Sequence, residues 1–141
     1  MCSSDLEIEC AVLEIDGKVR ASIPGKVSID PKYEFYDFEA KYLDGATDII
    51  VPAPIEKEIL DKVQHAAIAA FQALGCSGLA RVDFFLTHDG KIIINELNTM
   101  PGFTTTSVFP KMWAASGINF TEVITHLLET ALTRTNGTLG N

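Results

Sequence analysis

Apolar and polar residues alternate along two short segments of the chain, residues 79–86 and residues 91–98. An alternation with a period of two predicts two β-strands, and Asp89-Gly90 in their connection predicts a hairpin with a two-residue turn. Such a turn fixes which residues of the two strands face each other, because the pairing continues residue by residue away from it. The predicted hairpin therefore carries a definite set of cross-strand pairs.

The predicted register places a group of polar side chains on one face of the hairpin. Its pairs include His88 with Lys91, Asp83 with Glu96, and Arg81 with Asn98. Because side chains alternate between faces, the last two pairs share one face, and the other face carries Val82, Phe84, Ile93, Asn95 and Leu97. Directly opposed like charges destabilise a strand pair, so the two facing carboxylates need a cation. A set of Asp, Glu and Asn oxygens suits a hard ion such as Mg²⁺ or Mn²⁺.

Two other interpretations of this hairpin stay open. Paired carboxylates on a sheet face are often only a solvated surface. A four-residue loop would instead put Leu86 opposite Lys91, so that Asp83 would face Ile94 and the polar face would be lost. The segment that follows the hairpin, residues 99–107, favours the ion site, because it is rich in hydroxyl groups and leaves the strand beside the proposed ligands.

The remaining pattern predicts an α+β fold, with a mainly antiparallel sheet and helices packed on one of its faces. The expected strands are residues 6–15, 18–23 and 26–29, with a tight turn at Asp16-Gly17. The expected helices are residues 56–74, residues 110–115 and a last helix capped by Asn119 and Glu122, whose buried stripe is Phe120, Val123, Ile124, Leu127, Leu128 and Ala131. Residues 30–54 lack a clean period and are expected to form a long functional loop, and residues 133–141 a flexible tail.

Composition and charge exclude several classes of protein function. The 141 residues suffice for one domain, and a net charge of −8 argues against unspecific binding to nucleic acid or to an anionic membrane. No apolar stretch approaches the roughly 20 residues that span a bilayer, and residues 1–5 lack the features of a signal peptide. Cys2, Cys10 and Cys76 are odd in number and far apart, which fits a cytoplasmic protein better than a disulfide framework or a zinc site.

The polar face suggests a chemistry. Carboxylates that hold Mg²⁺ usually leave positions for phosphate oxygens, and ATP is the commonest such ligand. Arg81 is permanently charged, so beside a metal it would stabilise negative charge that develops during a reaction, and the backbone N–H of Gly102 could do the same. Arg81 could also simply neutralise Asp83 or Glu96, and Gly102 could simply complete a turn. No glycine-rich phosphate-binding motif of the common types occurs in the chain.

Several segments resemble the C-terminal signature of D-alanine–D-alanine ligases, which belong to the ATP-grasp superfamily. The matching segments are residues 81–85, residues 95–104, Ser107 and residues 110–113, together with residues 6–13 and residues 35–42, which look like the ω-loop of that family. The resemblance covers about residues 5–132. It implies that the whole chain, residues 1–141, is the C-terminal half of an ATP-grasp domain, without the substrate domain and the glycine-rich subdomain that precede it in the family.

The resemblance also implies a role for each matching residue. Asp83, Glu96 and Asn98 would hold two Mg²⁺ or Mn²⁺ ions, with Glu96 bridging them. Glu7 would bind the ribose of ATP, and Lys41 would reach its γ-phosphate. Arg81 and the Gly102 N–H would stabilise the tetrahedral oxyanion, Ser107 would hold the carboxylate of the second D-alanine, and Tyr42 would orient that substrate. The reaction would join two D-alanines for peptidoglycan synthesis.

Three alternatives remain beside this hypothesis. The chain could belong to another ATP-grasp carboxylate–amine ligase, to a non-catalytic module whose acidic face takes Ca²⁺ or a protein partner, or to a purely structural domain. The family also implies a homodimeric parent enzyme. Because the resemblance covers only part of such an enzyme, the chain alone is expected to be inactive.

Overall fold

The computed structural model describes residues 6–29 and 47–134 of the chain. These residues form six strands and three helices. The strands are β1 (Leu6–Ile15), β2 (Lys18–Ala21), β3 (Gly25–Ile29), β4 (Thr47–Ile50), β5 (Leu79–Leu86) and β6 (Ile92–Asn98). The helices are α1 (Lys57–Ala73), α2 (Val108–Ala115) and α3 (Phe120–Thr133).

Strand β1 is the centre of the sheet. The strand order is β4-β3-β1-β5-β6, every neighbouring pair is antiparallel, and β2 pairs with the second half of β1. Six consecutive residues of β1, positions 8–13, are buried. A strand that is buried on both faces needs apolar residues at successive positions, and Cys10 to Leu13 supply them.

The helices cover both faces of the sheet, which corrects the prediction that they pack on one face. Helix α1 packs on the face of Ile8, Cys10 and Val12, where its buried residues are Val63, Ala67 and Phe71. Helices α2 and α3 pack on the opposite face against Ala11, Leu13 and Ile15, with Phe109, Met112, Trp113 and Val123. The period of two in a strand sends neighbouring residues of β1 into these two separate cores. The predicted α+β class itself is confirmed.

Strand β4 lies within residues 30–54, which the sequence pattern predicted to be irregular. It pairs with β3 from Lys26 opposite Ile50 to Ile29 opposite Thr47. Residues 30–46 lie outside the described residues. The turn at Asp16-Gly17 is confirmed, with positive φ values of 52° and 72° that fit a type I′ hairpin.

The 79–98 hairpin has the predicted pairs at its polar end but a different turn. Thr87 pairs with Lys91 through the bond from the Thr87 N–H to the Lys91 carbonyl, so residues 88–90 form the loop and the predicted His88–Lys91 pair is wrong. A bulge follows, because Asp83 faces Glu96 while Phe84 faces Ile94, which leaves Asn95 without a partner on β5. The bulge cancels the one-residue error at the turn.

The helix boundaries follow the predicted signals closely. Glu56 and Leu74 flank α1, and Asn119 and Glu122 form the predicted capping box of α3. Helix α2 begins at Val108, two residues before the predicted start. The predicted stripe of α3 is only partly buried, because Val123 is buried but Ile124 is 37% and Leu128 is 61% exposed. Among the described residues, no helix is long and apolar enough to cross a membrane.

Candidate active site

Three carboxylates lie in a row across the sheet. Glu9 of β1 is opposite Asp83 of β5, and Asp83 is opposite Glu96 of β6. The next row contains Arg81, which lies between Ala11 and Asn98. Directly opposed residues share a face of the sheet, so these polar groups form one surface, which we call the acidic face. The predicted juxtaposition of Arg81, Asp83, Glu96 and Asn98 is present.

Among the described residues, Arg81 is the cation that contacts the acidic face. Its Nε and Nη2 atoms each donate to one carboxylate oxygen of Asp83, both at 2.7 Å. The same guanidinium lies 3.5 Å from Glu9 Oε2 and 3.8 Å from Glu96 Oε1. Burial alone would lower the pKa of Arg81, but the hydrogen bond to Asp83 and the three carboxylates raise it, so this cation stays charged. One guanidinium thus faces three carboxylates.

Glu9 is the member of the row that the sequence pattern does not predict as a site residue. It is 6% exposed, and its Oε2 atom is buried without a hydrogen-bond partner among residues 6–29 and 47–134. Burial raises the pKa of Glu9 to about 7, Arg81 opposes that shift, and Asp83 adds to it. Glu7 and Glu9 are separated by one residue in a strand, which is the sequence signal that both share a face. The pairing of β1 with β5, which brings Glu9 to Asp83, joins segments about 70 residues apart and has no local signal.

The other predicted residues of the acidic face lie at its borders. Glu7 is half-buried on β1, opposite Phe85. Asn98 ends β6, and its Oδ1 accepts a hydrogen bond from the Met100 N–H at 2.9 Å. That contact uses one lone pair of the amide oxygen and leaves the other for a ligand. Carboxylate and amide oxygens on one face are a donor set that fits Mg²⁺ or Mn²⁺.

The loop after β6 brings Gly102 and Ser107 together. A Cβ atom placed on Gly102 would lie 3.2 Å from Ser107 Oγ, so the two residues are in close contact. Ser107 Oγ accepts from the Thr104 N–H at 2.9 Å and lies 2.8 Å from Thr104 Oγ1. Ser107 directly precedes α2, whose first backbone N–H groups favour an anion. Lys41 and Tyr42, the remaining predicted site residues, lie outside the described residues.

A second cluster of potential ligands lies at the far end of β1. Asp16, His126 and Glu129 present ligand atoms within 4.8 Å of one another, and theirs is the only such group of three His, Cys, Asp or Glu residues in the described part of the chain. His126 Nδ1 is buried and lies 3.5 Å from Glu129 Oε2, so the two form a partly exposed ion pair when the imidazole is protonated. This partly exposed cluster is separate from the acidic face.

The fold places the chain among ligases of known structure. The D-alanine–D-alanine ligase of Coxiella burnetii has a TM-score of 0.73 and 38% identity, with 90% of this chain and 32% of that chain covered. The ligase of Bacillus anthracis, solved in complex with ATP, has a TM-score of 0.69 and 31% identity over 90% of this chain and 38% of that one.

Sequence comparison then gives the particular family. The chain belongs to the family described as the D-ala D-ala ligase C-terminus, whose model matches residues 2–129. It is 49% identical over 131 residues to the D-alanine–D-alanine ligase of Streptomyces griseus, which covers 93% of this chain and 33% of the relative. The chain thus spans about a third of the length of the curated relatives that it matches. The predicted family resemblance is confirmed.

Proposed function

We propose that this chain supplies the metal-binding, ATP-binding and acceptor-binding part of a cytoplasmic D-alanine–D-alanine ligase. Such an enzyme joins two D-alanines at the expense of ATP and provides the dipeptide for peptidoglycan. One observation carries the proposal: Arg81, Asp83 and Glu96 share a sheet face in a chain that is 49% identical to a Streptomyces griseus ligase.

The acidic face would hold two divalent cations. Asp83 and Glu96 offer carboxylate oxygens and Asn98 an amide oxygen, the donors that Mg²⁺ and Mn²⁺ take. When bound, the ions would neutralise and orient the phosphate oxygens of ATP. Glu7 lies on the same face of β1 and would accept hydrogen bonds from the ribose hydroxyls.

The reaction would run in two steps. First, the carboxylate of one D-alanine attacks the γ-phosphorus of ATP, so that a new P–O bond forms and the bond to ADP breaks. Second, the neutral amine of the other D-alanine attacks the acyl carbon to give a tetrahedral oxyanion. The C–O bond to phosphate then breaks, and the proton that the amine nitrogen loses is released with the phosphate. Arg81 is charged and the Gly102 N–H lies in the loop after β6, so both are suited to stabilise that oxyanion.

The loop around Ser107 would bind the carboxylate of the second D-alanine. The Ser107 hydroxyl is held by Thr104, and the adjoining start of α2 favours a negative charge. Lys41 and Tyr42 would complete the site by reaching the γ-phosphate and by orienting the acceptor. These two roles follow from the family resemblance alone.

The rest of a ligase chain would be required for turnover. The chain spans about a third of its relatives, and we propose that it is inactive alone and that the parent enzyme is a homodimer. This defines a direct test. The matching 131 residues of the Streptomyces griseus ligase would be replaced by this chain, and ADP release would be followed with and without D-alanine and Mg²⁺.

We expect the chimeric ligase to release ADP only when both D-alanine and Mg²⁺ are present. Glu96→Gln should abolish that release, while the exposed Glu58→Gln on α1 serves as the matched control. Turnover with a different amino acid but not with D-alanine would favour another carboxylate–amine ligase of the ATP-grasp type. A folded chimera without any metal-dependent turnover would contradict the proposal.

A further inference from the structure

Glu9 has a buried carboxylate that the proposed reaction does not use. In the part of the chain that the structure describes, its Oε2 atom has no hydrogen-bond partner, and its side chain is 8% exposed. A buried carboxylate without full hydrogen bonding is costly, and a buried ion pair seldom improves stability over apolar residues of the same size. Packing therefore does not explain why a carboxylate occupies this position. The explanation has to lie in the groups around Glu9.

Among the described residues, the cation beside Glu9 is Arg81, and Asp83 and Glu96 compete with Glu9 for it. Arg81 uses Nε and Nη2 to hold Asp83, at 2.7 Å for each bond. Under the proposed function, Asp83 and Glu96 are ligands of divalent cations. A cation on these carboxylates draws on the same oxygen lone pairs and repels the guanidinium. Arg81 would then lose the two hydrogen bonds to Asp83 that orient it.

Glu9 lies next to Arg81 but is not one of the proposed metal ligands. Its Oε2 lies 3.5 Å from Arg81 Nε, on the β1 side of the guanidinium. Glu96 lies on the β6 side, so the two carboxylates approach Arg81 from opposite neighbouring strands. The Nε of a guanidinium carries a single hydrogen, and in Arg81 that hydrogen is donated to Asp83. If Asp83 turned to a metal ion, this N–H would become available to Glu9, whose Oε2 is 3.5 Å away.

We propose that Glu9 is a positioning residue that keeps the guanidinium of Arg81 in place when Asp83 and Glu96 bind divalent cations. Glu9 holds Arg81 from the β1 side, and Arg81 acts on the oxyanion. The inference rests on the proposed function, because the metal ions and the oxyanion belong to that reaction. Glu9 itself touches neither substrate nor metal.

The first test uses the 141-residue chain and follows the Nε–H signal of Arg81 by NMR, assigned by its loss in Arg81→Lys. Mg²⁺ is titrated into the wild type, Glu9→Gln and Glu14→Gln. Glu14 is a matched control, because it is a part-buried glutamate of the same strand that binds Ser77 and the Gly78 N–H instead. We expect Mg²⁺ to leave the Arg81 signal protected from solvent exchange in the wild type and Glu14→Gln. In Glu9→Gln the exchange should become at least ~10-fold faster.

The second test uses the chimeric ligase. Loss of a residue that orients a catalytic group typically lowers activity by about 10- to 100-fold. We expect this loss in kcat for Glu9→Gln, with KM for ATP within about 3-fold of the wild type and with partial recovery in Glu9→Asp. A purely structural role would lower the melting temperature and leave both kcat and the Arg81 signal unchanged, which would overturn the inference. If the wild-type chimera lacks D-alanine-dependent turnover, the proposed function fails, whatever Glu9 does.

Discussion

Arg81 and Asp83 lie two residues apart on strand β5, and both carboxylate oxygens of Asp83 accept hydrogen bonds from the Arg81 guanidinium at 2.7 Å. Residues i and i+2 of a strand share a face, so this contact follows from local geometry once residues 79–86 are a strand. The pair is 19% and 3% exposed at its side chains. It is therefore a buried, hydrogen-bonded ion pair at the centre of the acidic face.

Removal of Arg81 should destabilise the metal-free chain. Arg81→Met leaves the carboxylates of Asp83 and Glu9 buried without a cation, a change that typically costs about 3–5 kcal/mol. Urea unfolding of the 141-residue chain in the presence of a chelator would measure this loss. The exposed Arg20 on β2, replaced by Met, is the control and should change stability little.

Mg²⁺ should reverse part of that loss. The ion would occupy the region of negative charge that the guanidinium neutralised, and a ligand that binds only the folded state stabilises it by mass action. We therefore expect 10 mM Mg²⁺, roughly a saturating concentration for a weak site, to raise the melting temperature of Arg81→Met more than that of the wild type. Equal shifts in both proteins would argue against a cation site on the acidic face.

The hairpin shows why a correct site can follow from a partly wrong register. The local signal, Asp89-Gly90, predicts a two-residue turn, whereas residues 88–90 form the loop, with Gly90 at a positive φ of 79°. The sequence is compatible with both the two-residue turn and the three-residue loop. The bulge at Asn95 then restores the predicted pairing of Asp83 with Glu96. A bulge depends on tertiary packing of the strand, so its position has no reliable local signal.

Non-local pairing explains the other differences between prediction and structure. Glu9 joins the acidic face because β1 pairs with β5, and the sequence pattern does not state which strands are neighbours. The order of strands and helices along the chain predicts helices on one face of the sheet. The two faces of β1, however, are both apolar, as Cys10 and Ala11 illustrate, and each needs its own cover.

Gly25 should not tolerate a side chain. It lies opposite Glu9, and a Cβ atom at this position would overlap the side chain of Ile49, at 2.5 Å from its Cγ1. Gly25→Ala should therefore destabilise the chain by about 1–3 kcal/mol, the usual cost of overpacking. Calorimetry or urea unfolding would measure it. Ile49→Ala should remove the overlap with Ile49 and leave only the tight contact to Val51 Cγ2 at 3.1 Å. The double variant should therefore lose clearly less than the sum of the two single variants. Additive losses would show that the overlap is not the cause.

The thiol of Cys10 should be unreactive in the folded chain. Burial raises the pKa of Cys10 to about 12 from an ordinary value of 9.0, with the contact to Ser22 opposing the shift. Because the thiolate is the reactive form, iodoacetamide at pH 8 should modify Cys76, which is partly exposed, and spare Cys10 until the chain is unfolded in urea. Peptide mass spectrometry would separate the two sites. Comparable modification of both in the native chain would contradict the burial.

The same pKa shift has a consequence for stability at high pH. Between pH 9 and pH 12 the unfolded thiol loses its proton while the folded thiol of Cys10 keeps it, so this group favours unfolding as the pH rises. Its contribution is fully present below pH 9 and is lost toward pH 12. Cys10→Val, which removes the titrating group but retains the volume, should show a smaller fall in melting temperature between pH 8 and pH 10.5.

The contact between Gly102 and Ser107 should control binding of the acceptor. An alanine Cβ at Gly102 would lie 3.2 Å from Ser107 Oγ, which is tight, and Thr104 holds that hydroxyl in place through two contacts. In the chimeric ligase, Gly102→Ala should raise the KM for the second D-alanine by about 10-fold or more, since loss of a hydrogen bond to a charged group is worth about 1.5–3 kcal/mol. The KM for ATP should change less, because the loop follows the acidic face rather than belonging to it.

A double variant distinguishes a displaced serine from a general distortion of the loop. If Gly102→Ala acts by pushing the Ser107 hydroxyl from the acceptor carboxylate, Ser107→Ala should have a similar effect alone and add little in the Gly102→Ala background. Gly117→Ala is a control for a glycine substitution, since a Cβ at Gly117 meets no atom within 4 Å although its positive φ of 89° makes the change mildly destabilising. If the effects of Gly102→Ala and Ser107→Ala on the KM for the acceptor were fully additive, the two residues would act separately. Gly102→Ala would then not act by displacing the Ser107 hydroxyl.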